Sequence, residues 1–147
     1  MDKEASKRRE LLYLLLIPVG VFLFSVLFDF LNNNYWQKKL DTITENIFVD
    51  ALKADSVDSE DEYVTFFDSR YKLEKLEDND IRVTFLHDEN NSVMVSNTIE
   101  HFSIYGYVTG QKQYTTSRYK GYLNEYNEAK VEKLVEVFED DKVEDSE

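Results

Sequence analysis

The order of apolar and polar positions divides the chain at once. Leu11 to Phe28 is an unbroken run of 18 residues without a charge. As a helix rising about 1.5 Å per residue it covers about 27 Å, close to the thickness of a bilayer's hydrocarbon core. Asp29 interrupts the run, and Phe30 and Leu31 extend its apolar character by half a turn. The residues that follow, Asn32-Asn33-Asn34-Tyr35-Trp36, offer no small-x-small cleavage site, and the run is longer than a signal-peptide core. The pattern therefore predicts an uncleaved transmembrane helix over residues 11–31, after a short N-terminus at 1–10.

Beyond the span the apolar period changes but does not stop. Trp36, Leu40, Ile43, Ile47, Ala51 and Ala54 recur at steps of three or four, and Phe48 and Leu52 widen the stripe. Lys38, Asp41, Glu45 and Asp50 lie between them, so this is an amphipathic helix. No Gly or Pro separates it from the span, and the two read as one rod, with Asn32 to Asn34 as the place for a bend. Asp55, Asp58, Glu60, Asp61 and Glu62 then read as a solvated loop; a calcium loop would want a Gly at its turn, and none is there.

From residue 63 the pattern turns to strands. Tyr63 to Phe67 is one candidate. Ile81 to Phe85 alternates, and Ser92 to Ser96 follows it across Asp88-Glu89-Asn90-Asn91, which predicts a hairpin. Thr98 to Thr109 is rich in β-branched and aromatic residues, with Gly106 as a bulge or a close backbone approach and Gly110 as its end. Residues 105–126 hold six of the ten tyrosines and read as a last strand, either resting on the sheet or offering an aromatic contact surface. Glu125 to Phe138 reads as a short helix, and residues 139–147, with six acids in nine, as a disordered tail.

Charge adds an orientation. Residues 1–10 carry four basic and three acidic side chains, with Arg8 and Arg9 at the start of the span; residues 32–147 carry thirteen basic and twenty-six acidic. The positive-inside bias then places the N-terminus in the cytoplasm and the C-terminal domain outside, with Tyr35 and Trp36 as interfacial anchors. A formal net charge of -13 opposes phosphate neutralisation, so no nucleic acid is expected as a partner. The chain has no Cys, which excludes disulfides, thiolate zinc sites and a Cys nucleophile. His87 and His101 stand alone, without metal-ligand spacing. There is no Gly-x-Ser-x-Gly elbow, and only the short Asn90-Asn91-Ser92 sequon matches a modification motif. No enzyme activity, cofactor, metal or small-molecule substrate is expected.

Glu10 opens the span, Pro18 lies about two turns inside it, Asp29-Phe30 closes it, and Tyr35 and Leu40 follow along the next helix. Over about residues 10–54 this order resembles the TadE-like family, small pseudopilins of bacterial tight-adherence pilus systems. The resemblance implies a pilin-like build and a role in assembling a pilus or secretion machine. It also implies peptidase cleavage at a Gly before the span. Here Ala5-Ser6-Lys7-Arg8-Arg9 stand before Glu10 and the first Gly is Gly20, which points to a membrane-retained assembly factor or initiating subunit.

The expectation is an α+β, pilin-like protein: one transmembrane helix, extended by an amphipathic helix that packs on a small antiparallel sheet within residues 32–138. Its partners would be membrane lipid and other pilin-like or envelope-complex subunits. Contacts would run through Glu10, Pro18, Asp29, Phe30, Tyr35, Trp36 and Leu40. The alternative is an unrelated single-pass protein whose ectodomain is a binding module of another envelope complex.

Overall fold

A computed structural model describes residues 2–54, 57–74, 76 and 79–135. The chain is α+β, in the order α1 (Asp2–Lys53), α2 (Glu60–Leu73), β1 (Asn79–Phe85), β2 (Val93–His101), α3 (Ile104–Thr109), β3 (Gln113–Leu123) and β4 (Ala129–Lys133). The four strands form one antiparallel sheet in which each lies beside its sequence neighbours. α1 packs along β3 and β4, and α2 against β1. α1 runs its 52 residues without a break at Asn32 to Asn34, and Pro18 sits inside it. The 18 residues of its most apolar window have none of their number buried, and by length and composition this helix could cross a membrane.

The core lies between the C-terminal half of α1, α2 and one face of the sheet. Alternate residues of β2 and β3 point inward, pairing Val95 with Tyr119, Asn97 with Ser117 and Ile99 with Thr115. Phe48 and Phe67 are fully buried, and their rings lie 6.4 Å apart. Gly121 is a requirement of this packing. A Cβ there would come within 2.9 Å of the Phe48 ring and 3.0 Å of the Lys130 carbonyl oxygen, so no larger residue lets α1 lie this close to β3.

Four predicted elements are different in the structure. Tyr63 to Phe67, expected as a strand, belongs to α2. Ser59 and Glu62 form a capping box: the Ser59 hydroxyl accepts from the Glu62 amide at 3.3 Å, and the Glu62 carboxylate accepts from the Ser59 amide at 3.1 Å. Glu60, Asp61 and Glu62 thus leave the predicted loop for the first turn of α2, where carboxylates favour the helix dipole. The buried residues Tyr63, Phe67 and Tyr71 are four apart, a helical stripe rather than a strand face.

The strand expected over Thr98 to Thr109 ends at His101, and its second half is α3. The Ser103 side chain caps α3 by accepting from the Gly106 amide at 2.9 Å, and Gly110, at φ 73°, closes it. Gly106 is a close approach, since a Cβ there would meet the Gln111 carbonyl oxygen at 2.5 Å. The expected last strand therefore splits: Tyr105 and Tyr107 lie on α3, Tyr114, Tyr119 and Tyr122 on β3, and Tyr126 in the turn after it.

The helix expected over Glu125 to Phe138 is replaced by a tight turn and β4. The Asn124 side chain accepts from the amides of Tyr126 at 3.0 Å and Glu128 at 2.8 Å, and Asn127 takes the left-handed conformation at φ 62°. That turn reverses the chain so that Ala129 and Val131 pack against the core. The end of this predicted helix, 136–138, and the predicted acidic tail lie outside the described residues. The predicted hairpin of β1 and β2 is present. At its turn Asp88 accepts from the Ser92 amide at 2.9 Å and pairs with Lys120 at 2.7 Å. The lysine and Ser92 hold the Asp88 carboxyl well below the usual range.

One polar cluster lies inside the core. The Tyr71 hydroxyl is 2.8 Å from the Thr44 hydroxyl, and the Asn97 amide donates to both, joining α2, α1 and β2. Tyr71→Phe is expected to destabilise the protein by about 1–3 kcal/mol, because Thr44 and Asn97 stay buried without their shared partner. Urea unfolding of the detergent-solubilised full chain reads this change. Burial also raises the Tyr71 and Tyr63 hydroxyl pKa values, and burial beside Asp41 and Glu45 raises that of Tyr119 to about 12. These tyrosines keep their protons in the fold after an unfolded chain, near 10.0, has lost them. Their contribution is complete below that pH and is lost as pH rises toward 12, so the same urea midpoint should fall over that window.

Candidate functional site

The feature that sets this chain apart is the junction where the bare apolar half of α1 meets the folded domain. From Asp29 to Asp41 one face of the helix is fastened to the segment from His101 to Ser117 by side-chain hydrogen bonds. Asp29 accepts three of them: from the Ser103 hydroxyl at 3.0 Å, the Ile104 amide at 2.7 Å and the Tyr105 amide at 2.9 Å. Those amides belong to the first turn of α3, which has no intrahelical partner for them. One turn further on, the Asn32 amide donates to the Phe102 carbonyl at 2.6 Å, and Asn33 accepts from Thr115 at 3.0 Å. Gln37 donates to the Thr116 carbonyl at 3.1 Å, and Asp41 accepts from Ser117 at 2.6 Å while pairing with Lys133.

These bonds give the Asn-rich segment a role that periodicity alone does not disclose. Asn32 and Asn33 are not a bend; they bond a long helix to the strand and helix beside it. Charge-assisted bonds to backbone amides are among the stronger hydrogen bonds, so Asp29 is the main clasp of the junction. Two ring contacts reinforce it. Trp36 stacks on His101 with centroids 6.4 Å apart and planes at 20°, and Phe28 meets Phe102 edge-on at 6.4 Å.

The residues singled out from the sequence divide by what surrounds them. Glu10, Pro18 and Phe30 are exposed on the bare half of α1. Tyr35 is exposed and lies edge-on to Trp36, with the Lys39 ammonium 5.9 Å and 5.0 Å from the two ring centres. Trp36 is half-buried against His101, and Leu40 is fully buried within the domain. Asp29 is half-buried and engaged within its own chain. The structure thus brings Asp29, Trp36 and Leu40 into one junction and leaves Glu10, Pro18, Phe30 and Tyr35 on surface that another molecule can touch.

Ser103, Asn32 and Asn33 belong to the junction, although the sequence assigned Ser103 no role and Asn32 and Asn33 only a bend. A Ser three positions before a Gly, with Gly110 closing the segment, is a cap pattern that could have marked α3. Among the described residues no group of three or more His, Asp or Glu is placed to hold a metal ion. His87 is exposed in the hairpin turn, and His101 is occupied by its stack on Trp36. In comparisons with known proteins, no family model, curated protein or solved structure matches the chain.

Proposed function

We propose that this chain is a non-enzymatic, single-pass membrane subunit that helps assemble a bacterial envelope appendage or secretion machine, in the manner of a minor pseudopilin. The carrying observation is the single helix of 52 residues, exposed over its apolar half and covered by an antiparallel sheet over the rest. Such a helix offers neighbouring subunits a long apolar rail, while the sheet is carried rigidly at its outer end. The Glu10, Pro18, Asp29-Phe30, Tyr35 and Leu40 order that resembles TadE-like proteins supports the same reading. The basic residues at 7–9 support an N-terminus in the cytoplasm and the folded domain outside.

A second reading has one observation in its favour. The outer face of the sheet carries a groove of mixed character, with Asp80, Arg82 and Arg118 as its charged and Met94, Leu134 and Val135 as its apolar lining. That surface suits an ectodomain that binds another envelope protein without entering an assembly through its helix.

Intact mass of the native membrane-extracted protein, with and without its host's prepilin peptidase, tests the first reading together with photo-crosslinking from Phe30. A full-length mass in both hosts, with crosslinks from Phe30 to other single-span subunits, is the result expected. Crosslinks from Arg82 but none from Phe30 would favour the binding module. A mass lacking everything up to about Leu31 would remove the anchor and the proposal with it.

A further inference from the structure

We propose that α3, with Phe102 before its cap, is a second membrane contact: an interfacial element that rests in the headgroup and upper acyl region of the leaflet on the domain's side. The inference rests on reading residues 11–31 as a span, and adds to it a lipid-facing site on the folded domain.

Position is the first argument. The amides of Ile104 and Tyr105 bond directly to Asp29, the residue that ends the 18-residue apolar run. The first turn of α3 is therefore held at the depth where the span leaves the hydrocarbon. The rings continue this placement sideways: Phe28, inside the run, meets Phe102 at 6.4 Å, and Phe102 meets Tyr107 at 6.4 Å. Aromatic surface thus extends from the last turn of the span across α3.

Composition is the second. Phe102 to Gln111 contains no Asp, Glu, Lys or Arg, in a chain that is 32% charged. Yet its large side chains are not packed away: Phe102 is 60% exposed, Tyr105 57%, Tyr107 81% and Val108 77%. A contiguous exposed apolar patch of this kind marks a contact surface. Phe and Tyr, with apolar bodies and in Tyr a polar tip, suit the interface between acyl chains and water.

The occupant follows from the geometry. A bilayer that surrounds the span already reaches Asp29, and α3 begins one hydrogen bond away. A protein partner would have to displace that lipid to reach the patch. Lys112, which pairs with Glu100 at 2.7 Å, stands at the end of the uncharged stretch, where the sequence becomes charged again. With two points of attachment the domain cannot turn freely about the axis of α1. The contact sets which face of the sheet looks along the membrane.

The chain has no native Cys, so single cysteines report depth cleanly. The full chain would be placed one copy per nanodisc, in phosphatidylcholine carrying a nitroxide high on its acyl chain. An environment-sensitive fluorophore would be attached to Val108→Cys or, separately, Tyr107→Cys. Phe22→Cys in the span and Glu89→Cys in the distal hairpin turn serve as references. The expected result is blue-shifted emission and lipid quenching at both α3 positions, well above those at Glu89. A Val108 label as wet as that at Glu89, while the Phe22 label is quenched, would overturn the α3 contact and leave the span standing. A Phe22 label that escapes quenching would overturn both. Drying of α3 only when two copies share a disc would assign the patch to a second copy and overturn the lipid contact.

Discussion

Phe48→Ala is expected to destabilise the folded domain by about 3–5 kcal/mol, the cost of removing a large aromatic side chain from a packed core. Phe48 is fully buried on the face of α1 that meets the sheet. Its ring lies edge-on to Tyr63 at 6.4 Å and the same distance from Phe67, so it joins α1 to α2 as well. Nothing can refill the space cheaply, because the neighbours are rings on a capped helix and the backbone of β3. Urea unfolding of the solubilised full chain measures the loss. Gly121→Ala supplies a control on the mechanism. Alone it is expected to destabilise by about 1–3 kcal/mol, since its methyl drives into the Phe48 ring and the Lys130 carbonyl. Combined with Phe48→Ala the two costs should sum to less than their separate values, because the ring contact has already gone. Strict additivity would mean that the Gly121 constraint comes from Lys130 and Leu52 rather than from the Phe48 ring.

Replacing Val19 and Leu23 together by arginine is expected to remove the chain from the alkali-resistant membrane fraction. Both are exposed near the middle of the apolar run, and four residues apart they share one face of α1. Each arginine at the centre of a span costs about 2.5–3.5 kcal/mol on insertion scales, and two on one face cannot both reach the nearer interface. Carbonate extraction of membranes from cells expressing the variant reads the outcome. Undiminished membrane retention of the double variant would mean that the apolar half of α1 is held by something other than lipid.

How far the sequence discloses this structure depends on whether local or long-range forces decide each element. The apolar run and the stripe from Trp36 to Ala54 were legible because one long period dominates each, and α1 follows both. The hairpin of β1 and β2 was legible because alternation and an Asx-rich turn agree there. Tyr63 to Phe67 misleads because its composition suits a strand, while the deciding signal, Ser59 and Glu62, lies outside the segment. Glu125 to Phe138 misleads for the opposite reason. Its charged residues suit a helix, but Asn124 and Asn127 fix a turn, and pairing with β3 then sets residues 129–133 as a strand. Of the junction, Asp29 was legible as a charge at the end of the apolar run. Its partners were not, since Ser103, Ile104 and Tyr105 lie more than seventy residues away in the chain.

The clasped junction also turns α1 into a lever. Because Asp29, Asn32, Asn33 and Gln37 tie the helix to the domain along one face, its apolar half cannot change its inclination alone. From Asp29 to Lys53 the arm that carries the domain measures about 36 Å at 1.5 Å per residue. A change of 10° in tilt, within the range by which spans adjust to bilayer thickness, would sweep its far end through about 6 Å. A neighbour docked near the β1–β2 turn would feel a thinner or thicker membrane as a displacement larger than a hydrogen bond.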